Sequence, residues 1–329
     1  MNNNEKINAI VIGLGKIGLE YDYNLSPEEY NFSHCQSIDN HPKFNLIGGF
    51  DKNQNQLKKF KKKYPNLVTK LSDLNKVKID LVVLSVETHE HENALLEILK
   101  ILRPKIILLE KPVGKNLHQT KNIIKKIIDN KIFLTVNYIR MYEKGHRELS
   151  NYLNNEILEY PLKINVKYSN GLMNNCSHYI NYLSSFMGEI KKIEVKNKNI
   201  TYLNSVEPNF SIKYKNGISF FESTSNSKYP SNSIEIKGID GDVNFFNYNY
   251  SKKKIVCDVI GDFSENISIS NKSTNIEIEL NMKKYQKFVY DNIYNFLINK
   301  ERLLCNEESA INTMEVIDKI NNYYLKKTL

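Results

Sequence analysis

Apolar and polar positions change rhythm near the middle of this chain. Up to about residue 137, short unbroken apolar runs alternate with longer stretches of helical spacing. Ile7–Ile12 (INAIVI), Phe44–Phe50 (FNLIGGF), Asp80–Val86 (DLVVLSV), Lys105–Leu109 (KIILL) and Ile132–Asn137 (IFLTVN) read as buried strands, being short, branched and continuous. Between them Asn53–Tyr64, His91–Leu102 and Leu117–Asn130 repeat apolar residues every three or four positions, the pattern of amphipathic helices. Such alternation predicts an α/β, doubly wound parallel sheet.

Beyond it the period drops to two. Leu162–Tyr168 (LKINVKY) alternates strictly, and Ile212–Tyr214, Ile218–Phe220, Ile234–Ile236, Ile267–Ile269 and Ile276–Leu280 repeat the pattern between Gly and Asn turns. These predict a large, mostly antiparallel open sheet with one apolar face. Helices are expected at Lys144–Asn154, Asn174–Met187, Met282–Asn299 and Glu307–Leu325, making the second half α+β. Two domains follow, residues 1–140 and 141–329.

The turns between these elements carry the chemistry. Gly13-Leu14-Gly15-Lys16-Ile17-Gly18 follows the first strand directly, as GxGxxG. In that setting the first glycine makes the turn, the second admits a pyrophosphate, and the third lets helix pack on strand. The first half thus reads as a Rossmann-type dinucleotide-binding domain. The second strand ends in Asp51, whose carboxylate would accept ribose hydroxyls and repel a 2′-phosphate. NAD is therefore expected, with NADP left open by the neighbouring Lys52. Asp51 lies 33 positions after Gly18, against about 20 in the usual unit. The excess predicts an insertion at Tyr21–Phe32, ahead of a helical piece at His34–Asn40. It is either a tyrosine-bearing cover for bound ligand or a surface loop packed by its own aromatics.

Ser85 lies near the end of the strand DLVVLSV, and His89 and His91 follow it at the edge where such sheets bind ligands. They are expected to line the cofactor loop. A metal is not, because an HxH pair needs further ligands that no other cluster supplies. The strand KIILL stops at Glu110-Lys111-Pro112, since proline cannot continue a ladder. A carboxylate and an amine are thereby held at the ligand edge, before an X–Pro bond of the kind that adopts cis geometry in tight turns.

Composition narrows the partners. Net charge is +9, from 46 Lys and Arg against 37 Asp and Glu, and the lysines are interleaved with Asn and Glu throughout. No basic arm or arginine-rich patch marks a nucleic-acid binder. No apolar run is long enough to span a membrane, and the N-terminus lacks a cleavable leader pattern. Cys35, Cys176, Cys257 and Cys305 are scattered and expected to be reduced thiols in a cytoplasmic protein.

GLGKIG after the first strand, Asp51 after the second, and LEKP closing a later one, followed by an α+β half, resemble the Gfo/Idh/MocA oxidoreductases, the glucose–fructose oxidoreductase and inositol dehydrogenase relatives. The resemblance runs over essentially the whole chain, with EKP its most specific mark. It implies a lysine, here Lys111, near the nicotinamide and the reacting hydroxyl. It also implies a histidine that moves a proton, in a D-x-x-x-H element matched here by Asn174-Asn175-Cys176-Ser177-His178. Three departures stand out. Asn174 replaces the acid, Asn181 stands where the family commonly has another Asp, and Val86-Glu87 replaces a threonine–proline. Lys111 and His178 are thus the candidate catalytic pair, and Asn137, Arg140 and Asn174 the candidate substrate contacts. Gly13, Gly15, Lys16, Ile17, Gly18, Asp51, Ser85, His89, His91, Glu110 and Lys111 are the candidate cofactor contacts. Arg140 and Arg147 would clamp an anionic substrate or form a domain-interface ion pair. The expected activity is NAD(P)-dependent hydride transfer at a hydroxyl or keto carbon of a sugar, cyclitol or nucleotide-linked sugar. Imine or double-bond reduction and a non-catalytic cofactor sensor are the alternatives. The resemblance also implies a homodimer or homotetramer built on the second domain's sheet.

Overall fold

Residues 6–74, 77–155, 158–197, 206–225, 232–246, 250–251, 254–255, 266–271 and 275–325 are described in a computed structural model of the chain. It divides into two units. The first is Met1–Tyr142 with Lys283–Ile311, the second Glu143–Met282 with Asn312–Leu329.

In the first unit, β1 (Ile7–Ile12), β2 (Phe44–Phe50), β3 (Leu81–Leu84), β4 (Ile106–Leu109) and β5 (Phe133–Val136) form a parallel sheet in the order β2-β1-β3-β4-β5. Every residue of β3 and β4 is buried, as unbroken apolar runs require when helices cover both faces. Those helices are α1 (His34–Asp39), α2 (Gln54–Lys63), α3 (His91–Ile101) and α4 (Leu117–Asp129). Ala94, Leu95, Ile98 and Leu99 of α3 and Ile123, Ile124 and Ile127 of α4 form the apolar faces, at helical spacing.

Two features of this unit depart from the sequence pattern. The glycine loop opens not into a long helix but into one π turn, Lys16–Glu20. The insertion then runs to Ser33, which caps α1 by accepting from the Gln36 amide. Buried Asp22 ties its ends together, accepting from the amides of Phe32 and Ser33 at 2.7 and 2.8 Å and from the Ser33 hydroxyl. Further, the pattern places everything after residue 140 in the second domain, yet Lys283–Ile311 belongs to the first unit. The helix of this segment, labelled below in chain order, buries Val289, Tyr290 and Ile293 in the Rossmann core, with the Tyr290 ring edge-on to Phe44 of β2 at 5.3 Å. An amphipathic helix declares that it needs a partner, but not which of two sheets supplies it.

The second unit is built on an eight-stranded sheet. Its strands are β6 (Leu162–Tyr168), β7 (Ile190–Asn197), β8 (Asn209–Tyr214), β9 (Gly217–Ser223), β10 (Ser233–Lys237) and β11 (Gly241–Phe246), then β14 (Asn266–Asn271) and β15 (Asn275–Glu279). A two-residue pair, β12 (Tyr250–Ser251) and β13 (Lys254–Ile255), lies outside it. The order is β15-β14-β11-β10-β6-β9-β8-β7, antiparallel except for β6 and β9. Leu162, Ile164, Val166 and Tyr168 of β6 face inward, while Lys163 and Lys167 are exposed. Phe210 and Phe221 are register partners that stack at 4.3 Å. On the other face, the ammonium groups of Lys163 and Lys196 lie 5.7 and 5.3 Å from the Phe220 ring centre.

Helices α5 (Lys144–Asn154) and α6 (Ser177–Ser184) belong to this unit, α7 (Tyr285–Asn299) is the C-terminal helix of the first, and α8 (Glu307–Leu325) closes the chain. Glu143 caps α5. Its Oε2 accepts from both the amide and Nδ1 of His146 at 2.9 Å, and its Oε1 accepts from the Asn281 amide at 2.8 Å. The helix expected from Asn174 instead begins as a π turn, Gly171–Cys176, and becomes α-helical only at Ser177.

Candidate active site

In the order β2-β1-β3-β4-β5 the chain reverses direction across the sheet between β1 and β3, and the crevice at their carboxyl ends is where such sheets bind ligands. The glycine loop stands there. Gly13 adopts a φ of 96°, and a β-carbon on it would lie 2.5 Å from the Ser85 carbonyl carbon. One on Gly18 would collide with the Gly13 oxygen. Both glycines are demanded by the fold itself. Gly15 is different, because a β-carbon there would meet nothing within 4 Å. The bare backbone at Gly15 therefore faces open space, a cradle suited to a pyrophosphate. Lys16 is exposed and Ile17 partly buried on the π turn that follows.

Side chains from neighbouring strand ends lock this loop. The Ser85 hydroxyl donates to the carbonyls of Gly13 at 2.8 Å and Ile12 at 3.1 Å. Asp51 accepts from the Leu14 amide at 2.7 Å through Oδ2 and from the Asn53 amide at 2.7 Å through Oδ1. Lys52 is turned to Glu90, with an Nζ–Oε2 distance of 2.7 Å. The two histidines separate in role. His91 is fully buried, with ring nitrogens 3.0 Å from the Val113 carbonyl and 3.1 Å from the Val86 carbonyl, clasping the turns after β3 and β4. His89 is half-exposed, beside Glu87 at 3.2 Å and Glu90 at 3.7 Å.

The carboxyl end of β4 gathers the most chemistry. The Glu110 amide continues the ladder to the Leu84 carbonyl. Its carboxylate points inward: Oε1 lies 2.9 Å from His34 Nε2 and accepts from Asn137 Nδ2 at 2.5 Å, while Oε2 accepts from the Lys111 amide at 3.3 Å. Burial alone would raise this carboxyl, but the His34 and Asn137 hydrogen bonds and the Lys111 charge outweigh it and hold it below the ordinary glutamate value. Lys111 moves the other way. Burial, helped by the nearby Arg140 guanidinium, lowers its amine to about 8 against the opposing pull of Glu110. The Lys111–Pro112 bond is cis. Arg140, on a 3-10 turn at Ile139–Met141, is buried, whereas Arg147 on α5 is exposed.

The structure thus gathers Glu110, Lys111, Asn137 and Arg140 in the first unit. His178 and Asn174 belong to the second, where His178 is buried on α6 and Asn174 is exposed on the π turn. Asn181, one helical turn past His178, donates to the Thr313 hydroxyl at 2.9 Å. Two site residues went unnoticed in the sequence, His34 and Tyr290, whose hydroxyl lies 2.8 Å from His34 Nδ1. They sit 76 and 180 positions from Glu110 on opposite sides of it, and no motif marks either.

Of the insertion's tyrosines, Tyr23 donates to the Lys59 carbonyl on α2, and Tyr30 packs against Phe32, itself against Tyr285. Tyr21 is partly buried, and burial and the Glu110 charge raise its phenol. Cys35, Cys176 and Cys305 are buried and form no disulfide among the described residues, and Cys257 lies outside them. Among the described residues no three His, Cys, Asp or Glu side chains gather as a metal site, and no helix is long and apolar enough to cross a membrane.

A sequence profile described as the oxidoreductase family, NAD-binding Rossmann fold, matches residues 7–138, and its partner, the oxidoreductase family C-terminal alpha/beta domain, matches residues 165–322. No curated protein matches the sequence significantly. Among solved structures, UDP-N-acetylglucosamine 3-dehydrogenase from Acidithiobacillus ferrooxidans superposes with a TM-score of 0.71 at 12% identity, over 96% of each chain. The aldose-aldose oxidoreductase of Caulobacter crescentus, complexed with glycerol, gives 0.75 at 10% identity over 97% of each chain. An Agrobacterium radiobacter oxidoreductase in complex with NAD+, L-tartaric acid and magnesium gives 0.75 at 10% over 96% of each. At such identities these likenesses establish the fold, while the two profiles span the glycine loop, Lys111 and His178. With both of its characteristic domains matched in order, the chain belongs to the Gfo/Idh/MocA family of oxidoreductases and carries that family's NAD(P)-binding Rossmann domain.

Proposed function

We propose that this protein is an NAD-dependent dehydrogenase acting reversibly on a hydroxyl carbon of a sugar, cyclitol or nucleotide-linked sugar. One observation carries the reading. Lys111, an amine lowered to about 8, stands at the carboxyl end of β4, two strands from a glycine loop with an open cradle. Strand spacing puts those two ends about 10 Å apart.

When bound, the nicotinamide accepts or returns the hydride. The chain's own residues do the rest. The bare backbone at Gly15 receives the pyrophosphate, and the remaining acceptor capacity of Asp51 serves the adenosine ribose. Lys52 is already paired with Glu90, which supports NAD over NADP. In oxidation, the Lys111 amine takes the hydroxyl proton as the carbinol hydride departs; in reduction the ammonium returns it. Arg140 favours the neutral amine. His178 is assigned as a second proton carrier because it matches the family histidine, with an intrinsic pKa near neutrality. Asn174 cannot ionise and so serves as a polar contact only. A polyhydroxylated substrate is supported by the sugar-acting proteins among the structural relatives. Cysteines scattered along the sequence with no CxxC pair support a cytoplasmic setting, and the family resemblance supports a homodimer or homotetramer.

The test is a screen of sugars, cyclitols and sugar nucleotides for NADH formation by the purified protein. Turnover that depends on Lys111 supports the reading. Turnover of an imine or an alkene alone, or undiminished turnover by Lys111→Met, overturns it.

A further inference from the structure

Glu110 was expected from its position to touch cofactor, yet its carboxylate is committed to the protein interior, and His34 is the residue that commits it. His34 opens α1 and is fully buried. Its Nε2 is 2.9 Å from Glu110 Oε1, and its Nδ1 is 2.8 Å from the Tyr290 hydroxyl on α7. A carboxylate can only accept, so Nε2 carries the proton on that side. On its other side Nδ1 is held by the Tyr290 hydroxyl, which fixes the orientation of the ring. The Gln286 amide nitrogen, 3.1 Å from Nδ1, packs beside the same ring. Glu110 in turn receives the Lys111 amide on Oε2 and the Asn137 amide group on Oε1. A line of contacts therefore runs from α7 through α1 to the backbone of Lys111, all within the first unit.

We propose that His34 is a positioning residue: anchored by Tyr290, it keeps the Glu110 carboxylate ionised and aimed at Lys111, and so sets how readily Lys111 gives up its proton. The consequence for catalysis rests on the reading of Lys111 as proton carrier; the electrostatic coupling does not. The charged and titratable groups facing Glu110 are few. They are His34 from α1, Lys111 beside it, His91 from α3, Tyr21 from the insertion, and Tyr285 and Tyr290 from α7, while Arg140 from the turn after β5 acts on Lys111. Burial first, and then neighbouring negative charge, drive the phenols of Tyr285 and Tyr290 well above their ordinary value. The guanidinium stays charged throughout. Without the His34 donor, the buried Glu110 loses one of the two side-chain hydrogen bonds that oppose desolvation, and its carboxyl rises toward protonation. Lys111 would then keep the two influences that lower its amine, burial and Arg140, and lose the one that raises it.

The experiment titrates Lys111 directly, in the full chain and without substrate. Protein labelled with 13C-lysine is followed by NMR against pH, the Lys111 signal being assigned by its loss in Lys111→Met. In His34→Leu the Lys111 pKa is expected to fall by about one unit or more, the size of effect an opposite charge at close range exerts. His34→Gln, whose amide donates from nearly the place of Nε2, is expected to restore it. His34→Asn, too short to reach Glu110, should behave like the leucine variant and decides the matter if that one does not fold. A Lys111 pKa unmoved in both the Leu and Asn variants, or a fall that Gln does not reverse, overturns the proposal. Because the titration needs no turnover, it stands or falls separately from the dehydrogenase reading.

Discussion

The imidazole Nε2 of His34 lies 2.9 Å from Oε1 of Glu110, wholly inside the first unit. The pair removes Glu110 from direct acid–base work, because its inward-facing oxygens are spoken for by His34, Asn137 and the Lys111 amide. In the proposed mechanism, proton transfer at this strand end then falls to Lys111.

Lys111→Met should accordingly lower kcat/KM by at least about 100-fold, the lower end of what positioned acid–base groups contribute. NADH binding should change little. His178→Asn should also be harmful, and Asn174→Ala milder than either. Steady-state kinetics on the substrate found by screening, with fluorescence titration of NADH, checks all three.

The pH profile should carry the same signature. Burial and Arg140 place the Lys111 amine at about 8. Oxidation requires the neutral amine, so kcat/KM for the alcohol should climb tenfold per pH unit below about 8 and level off above it. Reduction requires the ammonium and should decline above about 8 instead. A profile in the oxidation direction that is flat from pH 6.5 to 9 would contradict this role.

Cofactor choice should favour NAD(H) over NADP(H). The Asp51 carboxylate would face a 2′-phosphate, and Lys52, the nearest compensating charge in sequence, is paired with Glu90. Titration of both reduced cofactors measures the ratio. Equal or tighter NADP(H) binding would make Lys52 the residue that governs selectivity.

Stability of the second unit should depend on Glu143. This fully buried carboxylate joins the start of α5 to the Asn281 amide and satisfies three N–H groups. Glu143→Ala leaves them without an acceptor and should cost about 3 kcal/mol in urea unfolding. Burial pushes this carboxyl up, but the hydrogen bonds from His146 and Asn281 outweigh it and lower it overall. A lowered carboxyl contributes stability above its unfolded pKa and loses it as pH falls through the folded value. The wild type should therefore lose this contribution on acidification from about pH 4.5 downward, and Glu143→Ala should be the less acid-dependent of the two.

Self-association should be visible by light scattering at micromolar concentration, as a mass of two or four chains of 38.4 kDa. The outer face of the second unit's sheet, where Lys163 of β6 and Lys196 of β7 lie over Phe220 of β9, is the surface to alter. A mass of one chain would exclude the dimer and tetramer alike.

Local pattern alone determined much of this protein. The limits of Leu162–Tyr168, Lys144–Asn154 and Glu307–Leu325 are as periodicity predicts, because burial on one face imposes period two on strands and 3.6 on helices. The glycine loop, Asp51 and Lys111 were legible because each lies within a few residues of the strand end that positions it. Tertiary structure decided the rest. His34 and Tyr290 reach Glu110 only when α1 and α7 pack on one core, and an isolated histidine or tyrosine carries no record of a partner so distant in sequence. The placement of α7 on the Rossmann sheet was equally hidden, since its apolar stripe would have suited either unit. The sequence names the groups that can carry a proton; the packing decides which side chains hold the Glu110 carboxylate, because in a dry interior an ionised carboxylate must be hydrogen-bonded by whatever the fold brings to it.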